Sequence, residues 1–127
     1  MLGAGFRHRC CRYDSSMSST SCPAAVPGVV FLSGGQGDVT ATVHLNEINA
    51  RAGIKPWKIS FSYGRASQDL ALAIWLGNKS NEGAAHRAYY HRARCNAAAA
   101  LGRYTAAMEN EFTSELAKGH RSDCEDD

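Results

Sequence analysis

The sequence predicts an α/β fold with parallel strands, and three observations carry that prediction. Two β-branched and aromatic runs, Val29-Val30-Phe31-Leu32 and Ile59-Ser60-Phe61-Ser62, each stop at small residues, and a helical pattern follows each. They begin roughly 30 residues apart, the length of one strand–helix–strand unit. Both runs are largely apolar, as in strands covered on both faces. The order strand–helix–strand–helix then favours parallel pairing. Two strands do not close a barrel, so the pattern accounts for only part of a sheet.

Residues 1–22 are rich in Ser, Arg and Cys, with Asp14 as the only acid. Their composition resembles an organellar transit segment, and the competing reading is a disordered leader, since no apolar face forms. Pro27 and Gly28 punctuate the approach to the first strand. Asp38 is placed to cap a helix that runs to about Ala52, with Ala41, Leu45, Ile48 and Ala52 on one stripe. Gly53 and Pro56 end it.

The second strand lies near Trp57 to Ser62, and a helix follows from about Ala66 to Leu76 with Leu70, Ile74 and Trp75 as its face to bury. Gly77 to Asn81 reads as a turn. From about Glu82 toward Gly102 the Ala-rich chain favours helix, through Ala85, Tyr89, Ala93 and residues 97–100, although Gly83 weakens the first turn. A last amphipathic stretch covers Thr105 to Leu116, before a polar end expected to fray.

At 127 residues the chain forms one domain with a modest core. It is too short for a complete eight-stranded α/β barrel, which takes about 200–250 residues. A net charge of +2 gives no argument for nucleic acid. Arg7, Arg9 and Arg12 crowd the start, while Glu109, Glu111, Glu115, Asp123, Glu125, Asp126 and Asp127 crowd the end, and both read as solvated tails. No secretory signal is expected here, since the opening is not a charged flank followed by a long apolar stretch. Its five cysteines form no C-x-x-C pair, which favours reduced intracellular thiols. Cys95, inside the Ala-rich helix, reads as a small buried apolar residue.

No apolar run approaches the ~20 residues of a membrane span. The histidines show no metal spacing: His86 and His91 are five apart, on different faces of one helix, and read as surface residues. Tyr89 and Tyr90 beside Arg87 and Arg92 invite a nucleic-acid reading. Packing of Tyr89 under a basic solvent face is preferred, because no nucleic-acid motif accompanies them.

The chemistry lies in the two loops. A phosphate is held by backbone N–H groups with no Cβ in the way, by short hydroxyls and by a charged fork. Gly34 and Gly35 let the main chain approach closely, and Ser33 offers its hydroxyl. In the second loop Ser62 sits at the strand end and Gly64 opens the backbone. The helix starting near Ala66 aims its N-terminal N–H groups at an anion, and Arg65 offers a bidentate contact. In eight-stranded α/β barrels phosphates sit between the loops after strands seven and eight and a helix N-terminus. An ordinary tight turn and a surface arginine are the alternatives for these residues.

The segment Pro23-Ala24-Ala25-Val26-Pro27-Gly28-Val29-Val30-Phe31-Leu32-Ser33-Gly34-Gly35-Gln36 resembles the seventh-strand motif of class I fructose-bisphosphate aldolases. Leu45-Asn46-Glu47-Ile48-Asn49 is similar to that family's next helix, and Lys55-Pro56-Trp57 through Phe61-Ser62-Tyr63-Gly64-Arg65-Ala66 to its eighth strand. Arg92-Ala93, Asn96, Ala99 and Gly102-Arg103-Tyr104 resemble the late helix that follows. The likeness covers residues 23–108, with residues 109–127 as a divergent acidic tail.

The resemblance implies a partial (β/α)8 TIM barrel: the last two strand–helix units plus C-terminal helices. It implies reversible cleavage of fructose 1,6-bisphosphate to dihydroxyacetone phosphate and glyceraldehyde 3-phosphate, through a lysine Schiff base and with no metal. Ser33, Gly34 and Gly35 correspond to one half of a substrate-phosphate grip, and Ser62, Tyr63, Gly64 and Arg65 to the other. The expected partner is a phosphorylated sugar, not nucleic acid or membrane, and the chain is expected to self-associate or form a homo-oligomer. Localisation is expected to be cytoplasmic, or organellar if residues 1–22 act as a transit segment.

The family's Schiff-base lysine lies on the sixth strand in a Lys-Pro-Asn context, for which this chain has no matching position. Lys55-Pro56 aligns instead with the Lys-Pro-Trp segment before the eighth strand, and Lys58 stands close by. Neither has a desolvating pocket to activate it. The family's catalytic carboxylates and second catalytic lysine also come from earlier strands. No catalytic residue, metal ligand or cofactor is therefore assigned. Three readings stay open: an aldolase C-terminal portion that binds phosphate without the Schiff base, a non-enzymatic remnant or interaction module, and a truncated gene reading of an ordinary aldolase.

Overall fold

The structure, a computed structural model, describes residues 25–51 and 57–122, with the backbone alone for residues 115–122. The leader, Lys55-Pro56 and the last five residues lie outside the described residues. Strand β1 (Gly28–Leu32) leads to helix α1 (Asp38–Ala50), strand β2 (Lys58–Ser62) and helix α2 (Arg65–Trp75). A 3-10 turn (Lys79–Asn81) then opens the long helix α3 (Glu82–Ala100), and α4 (Ala107–Ser122) follows. Each expected element forms, with boundaries within a few residues, except that α4 runs beyond the expected Leu116.

The two strands pair in parallel, from Gly28 opposite Lys58 to Leu32 opposite Ser62. Their side chains alternate, so each strand presents one covered and one open face. Phe31, Ile59 and Phe61 pack on a core built from Leu45 of α1, Cys95 and Ala99 of α3, and Tyr104. Val30 and Leu32, on the other face, are 58% and 64% exposed. Strands covered on both faces were expected. The described helices contact the sheet from α1 and α3, and nothing among the described residues covers Val30 and Leu32.

Helix α1 buries Ala41, Leu45 and Ile48 of the expected stripe, whose fourth member Ala52, like the expected stop at Gly53, lies outside the described residues. Asp38 is its first residue and not its cap, a place taken by Gly37. Its carboxylate accepts from the Val39 N–H at 2.8 Å and also meets Arg92 at 3.3 Å. Helix α2 departs more: Trp75 is exposed, and Ala66 is its buried residue. Helix α3 buries Ala85, Ala88, His91, Arg92, Cys95, Asn96 and Ala99, a continuous 3.6-period stripe.

That stripe corrects three expectations. Tyr89 is 51% exposed and does not pack under a basic face. Arg92 is only 2% exposed, and His91 is buried beside it, so neither belongs to the surface. The cause is Glu109, expected in a solvated tail, which folds back from α4 to pair with both of them.

Helix α3 ends in a Schellman motif: Gly102 N–H donates to Ala99 C=O at 3.0 Å and Arg103 N–H to Ala98 C=O at 2.9 Å. Gly102 takes φ 66°. A Cβ there would stand 3.0 Å from the Ala50 amide nitrogen, so glycine lets the ends of α1 and α3 meet. The Asn46 side chain accepts from Tyr104 N–H at 3.0 Å, and the Asn49 amide donates to the carbonyls of Ile59 and Ala99. These bonds fix the sheet against the helices.

Candidate functional site

The parallel register sets both strand ends side by side, and so sets both loops at one rim of the sheet. After β1, Gln36 N–H donates to Ser33 C=O at 2.9 Å, closing a tight turn around Gly34 and Gly35. Both glycines take positive φ, 57° and 82°, where a side chain would be strained. After β2, Ser62 and Tyr63 lead to Gly64, the cap residue of α2, whose carbonyl accepts from Ser67 N–H at 3.0 Å.

The Arg65 side chain crosses from the second loop to the first. Its Nη2 lies 3.9 Å from where a Cβ on Gly35 would stand. Arg65 is exposed, and no carboxylate among the described residues pairs with it. The start of α2 has no side-chain cap and no acid in its first turn. Its N–H groups and partial positive charge are thus offered to solvent or to an anion.

The expected site residues accordingly share one rim. Ser33, Gly34, Gly35, Ser62, Gly64 and Arg65 belong to the two adjoining loops, while the Tyr63 side chain turns away. Its hydroxyl donates to Ala41 C=O at 2.8 Å and its ring packs on Phe31 and Phe61. Burial holds that phenol far above its ordinary range. Tyr63 therefore braces the loop from beneath and leaves only its backbone at the rim. Lys58 is exposed at the opposite end of β2, as expected. A groove of about 790 Å³ between α2 and α3, lined by Leu72, Trp75, Lys79, His86 and Tyr89, includes none of the loop residues.

A second polar cluster, missed by the sequence reading, joins α1, α3 and α4. Arg92 donates to both oxygens of Glu109, Nη1 to Oε1 at 2.9 Å and Nη2 to Oε2 at 3.1 Å. It also donates to Thr42 Oγ1 at 3.3 Å, and Thr42 donates to Asn96 Oδ1 at 2.6 Å. The Tyr104 hydroxyl donates to Glu109 Oε1 at 3.0 Å, and His91 Nε2 lies 2.9 Å from Oε2. Burial by itself would raise the Glu109 pKa, but hydrogen bonds from His91 and Arg92 outweigh it and hold the carboxyl below its ordinary 4.5. Burial, then the Glu109 charge, pushes the Cys95 thiol up to about 11. It is a protonated, buried small residue, as expected.

Two parallel strands, each feeding a helix through a hydroxyl- and glycine-bearing loop, define an α/β unit with both loops at one rim. The sequence profile of class I fructose-bisphosphate aldolase matches residues 9–121, so the chain belongs to that family. Fructose-bisphosphate aldolase 1 of Caenorhabditis elegans is 54% identical over 83 residues, which is 65% of this chain and 23% of that protein. Aldolase B of Gallus gallus is 48% identical over 99 residues, 72% of this chain and 27% of the relative. The Arabidopsis thaliana cytosolic aldolase 4 is 54% identical over 94 residues, 73% and 24% respectively.

Among solved structures, the fructose-bisphosphate aldolase of Plasmodium falciparum, in complex with TRAP and a small-molecule inhibitor, superimposes with a TM-score of 0.67 at 45% identity. That match covers 72% of this chain and 26% of the other. The chain therefore spans about a quarter of the length of these relatives. The profile match reaches past residue 108, across the pairing between α3 and α4. No helix among the described residues is long and apolar enough to cross a membrane.

Proposed function

We propose that this chain is the phosphate-gripping C-terminal part of a class I aldolase barrel, with β1 and β2 as its seventh and eighth strands. The reaction it serves is aldol cleavage of fructose 1,6-bisphosphate. Its own share is to hold one phosphate of that substrate or of dihydroxyacetone phosphate. Gly34 and Gly35 offer backbone N–H groups, Ser33 a hydroxyl, and the first turn of α2 its uncapped N–H groups. Arg65 closes the site as a charged fork. The approach of Arg65 Nη2 to Gly35 is the observation that carries this reading, because it joins two loops 30 residues apart (35 and 65) into one grip.

The chain by itself binds but does not cleave. The family's Schiff-base lysine has no matching position, and Lys58 is exposed at the wrong end of its strand. Calorimetry on the full chain should register fructose 1,6-bisphosphate binding. Arg65→Ala should weaken it about 10- to 100-fold, since a charged hydrogen bond contributes about 1.5–3 kcal/mol. Borohydride treatment with dihydroxyacetone phosphate should leave no covalent adduct. An adduct on Lys55 or Lys58 would contradict the assignment.

The open sheet face favours a second reading of the same piece, as an interaction remnant without catalysis. Val30 and Leu32 lie on the face that a barrel fills with inward side chains. Such a surface drives association whether or not phosphate binds. Cytosolic isozymes among the relatives favour a cytoplasmic setting.

A further inference from the structure

Helix α1 is the common foundation of both loops at the rim. Tyr63, at the root of the second loop, donates its hydroxyl to Ala41 C=O of α1 at 2.8 Å. The first loop reaches the same helix through Gln36, whose side-chain Oε1 lies 2.7 Å from His44 Nδ1. Ala41 and His44 stand at i and i+3, neighbouring positions on α1. Both loops are thus keyed to adjacent places on one element.

The first loop needs such an anchor. Its tip is Gly34-Gly35, both at positive φ, and glycine loses more backbone freedom on ordering than any other residue. One backbone bond, from Gln36 N–H to Ser33 C=O at 2.9 Å, closes the turn. Gly37, the next residue, caps α1 without a side-chain hydrogen bond. Gln36 is therefore the residue whose side chain ties the loop's exit down, onto the second turn of α1. Gln36 and His44 are both half-buried, which shields their bond from water.

We infer that His44 is a positioning residue of the phosphate grip: it holds Gln36, and through Gln36 the Gly34-Gly35 turn, in the form that faces Arg65. This role rests on the phosphate reading proposed above. Its chemistry is specific. A side-chain carbonyl oxygen only accepts, so His44 Nδ1 carries the proton and, in the neutral ring, Nε2 is bare. The opposite tautomer would set two acceptors against each other. Arg65 Nη2 comes within 3.9 Å of where a Gly35 Cβ would stand, so the turn and the arginine share one small gap. A turn displaced by about 1 Å no longer offers its N–H groups to the anion that Arg65 holds.

The test uses the full chain and fructose 1,6-bisphosphate, with affinity read by calorimetry and helix content by circular dichroism. His44→Ala should weaken binding about 2- to 10-fold, the loss expected for one neutral hydrogen bond. His44→Asn should restore affinity to within about twofold, because its amide nitrogen stands where Nδ1 does and donates to the same oxygen. Gln36→Ala combined with His44→Ala should be no worse than either alone, since both remove one bond. A bond that served stability alone would lower the urea midpoint of His44→Ala and leave its affinity unchanged. The parent chain gives a further reading that needs no substitution. Before ligand is added, a long-range nitrogen–proton spectrum of the neutral His44 ring should show Nδ1 protonated and Nε2 bare. Unchanged affinity in His44→Ala, no rescue by His44→Asn, or a bare Nδ1 would each overturn the inference and leave the grip standing on Arg65. A parent chain that binds no bisphosphate would instead overturn the grip and, with it, the role given to His44.

Discussion

Arg92 grips both carboxylate oxygens of Glu109, at 2.9 and 3.1 Å, from a position that is itself buried in α3. This pair joins helices that the sequence leaves unrelated, a long Ala-rich helix and an acidic tail. Arg92→Leu should therefore destabilise the fold by about 3–5 kcal/mol, because it strands a partly buried carboxylate. The exposed pair between Arg94 and Glu111, at 3.9 Å, is the control. Arg94→Ala should change stability by no more than about 1 kcal/mol. Urea unfolding followed by circular dichroism measures both, and equal effects would contradict this account.

The same carboxylate sets an acid limit. Its pKa lies below the ordinary 4.5 in the folded chain and returns to that value on unfolding. The resulting stabilisation is present above about 4.5, where both states are ionised, and is lost as pH falls through the lower native value. Urea midpoints should fall steeply on acidification through that window. Glu109→Gln should have a lower midpoint near neutrality and a flatter acid limb.

Gly102 offers a purely steric test. An alanine there meets both a φ of 66° and the Ala50 backbone 3.0 Å away. Gly102→Ala should cost about 1–3 kcal/mol. Gly77, with a similar φ of 73° but open space around it, should respond less to the same change.

The open sheet face predicts association. Sedimentation velocity on the chain should show concentration-dependent self-association, and Leu32→Lys on that face should reduce it. A monomer at all concentrations, with a cooperative melt, would count against this.

The strands and α1 were legible because apolar residues sit at the right period and glycine or proline marks their ends, as at Ala41, Leu45 and Ile48. That the two loops adjoin was legible because Ser33-Gly34-Gly35 and Ser62 to Arg65 follow strands whose order favours a parallel register. What failed depended on long-range pairing. Nothing local says that Arg92 points inward, since its partners Asp38 and Glu109 lie 54 residues before it and 17 after it. The exposure of Trp75 and Tyr89 likewise reflects what packs, or does not, on α2 and α3.

The proposed phosphate grip requires both loops to act on one anion. The most direct measurement is a nitrogen–proton NMR titration of the labelled chain with fructose 1,6-bisphosphate, reading the backbone amides of Gly34, Gly35, Gly64 and Arg65. The account predicts that all four shift together along one saturable curve, and that Arg65→Ala weakens the whole set. Shifts confined to one loop, or scattered along the chain with no saturation, would contradict it.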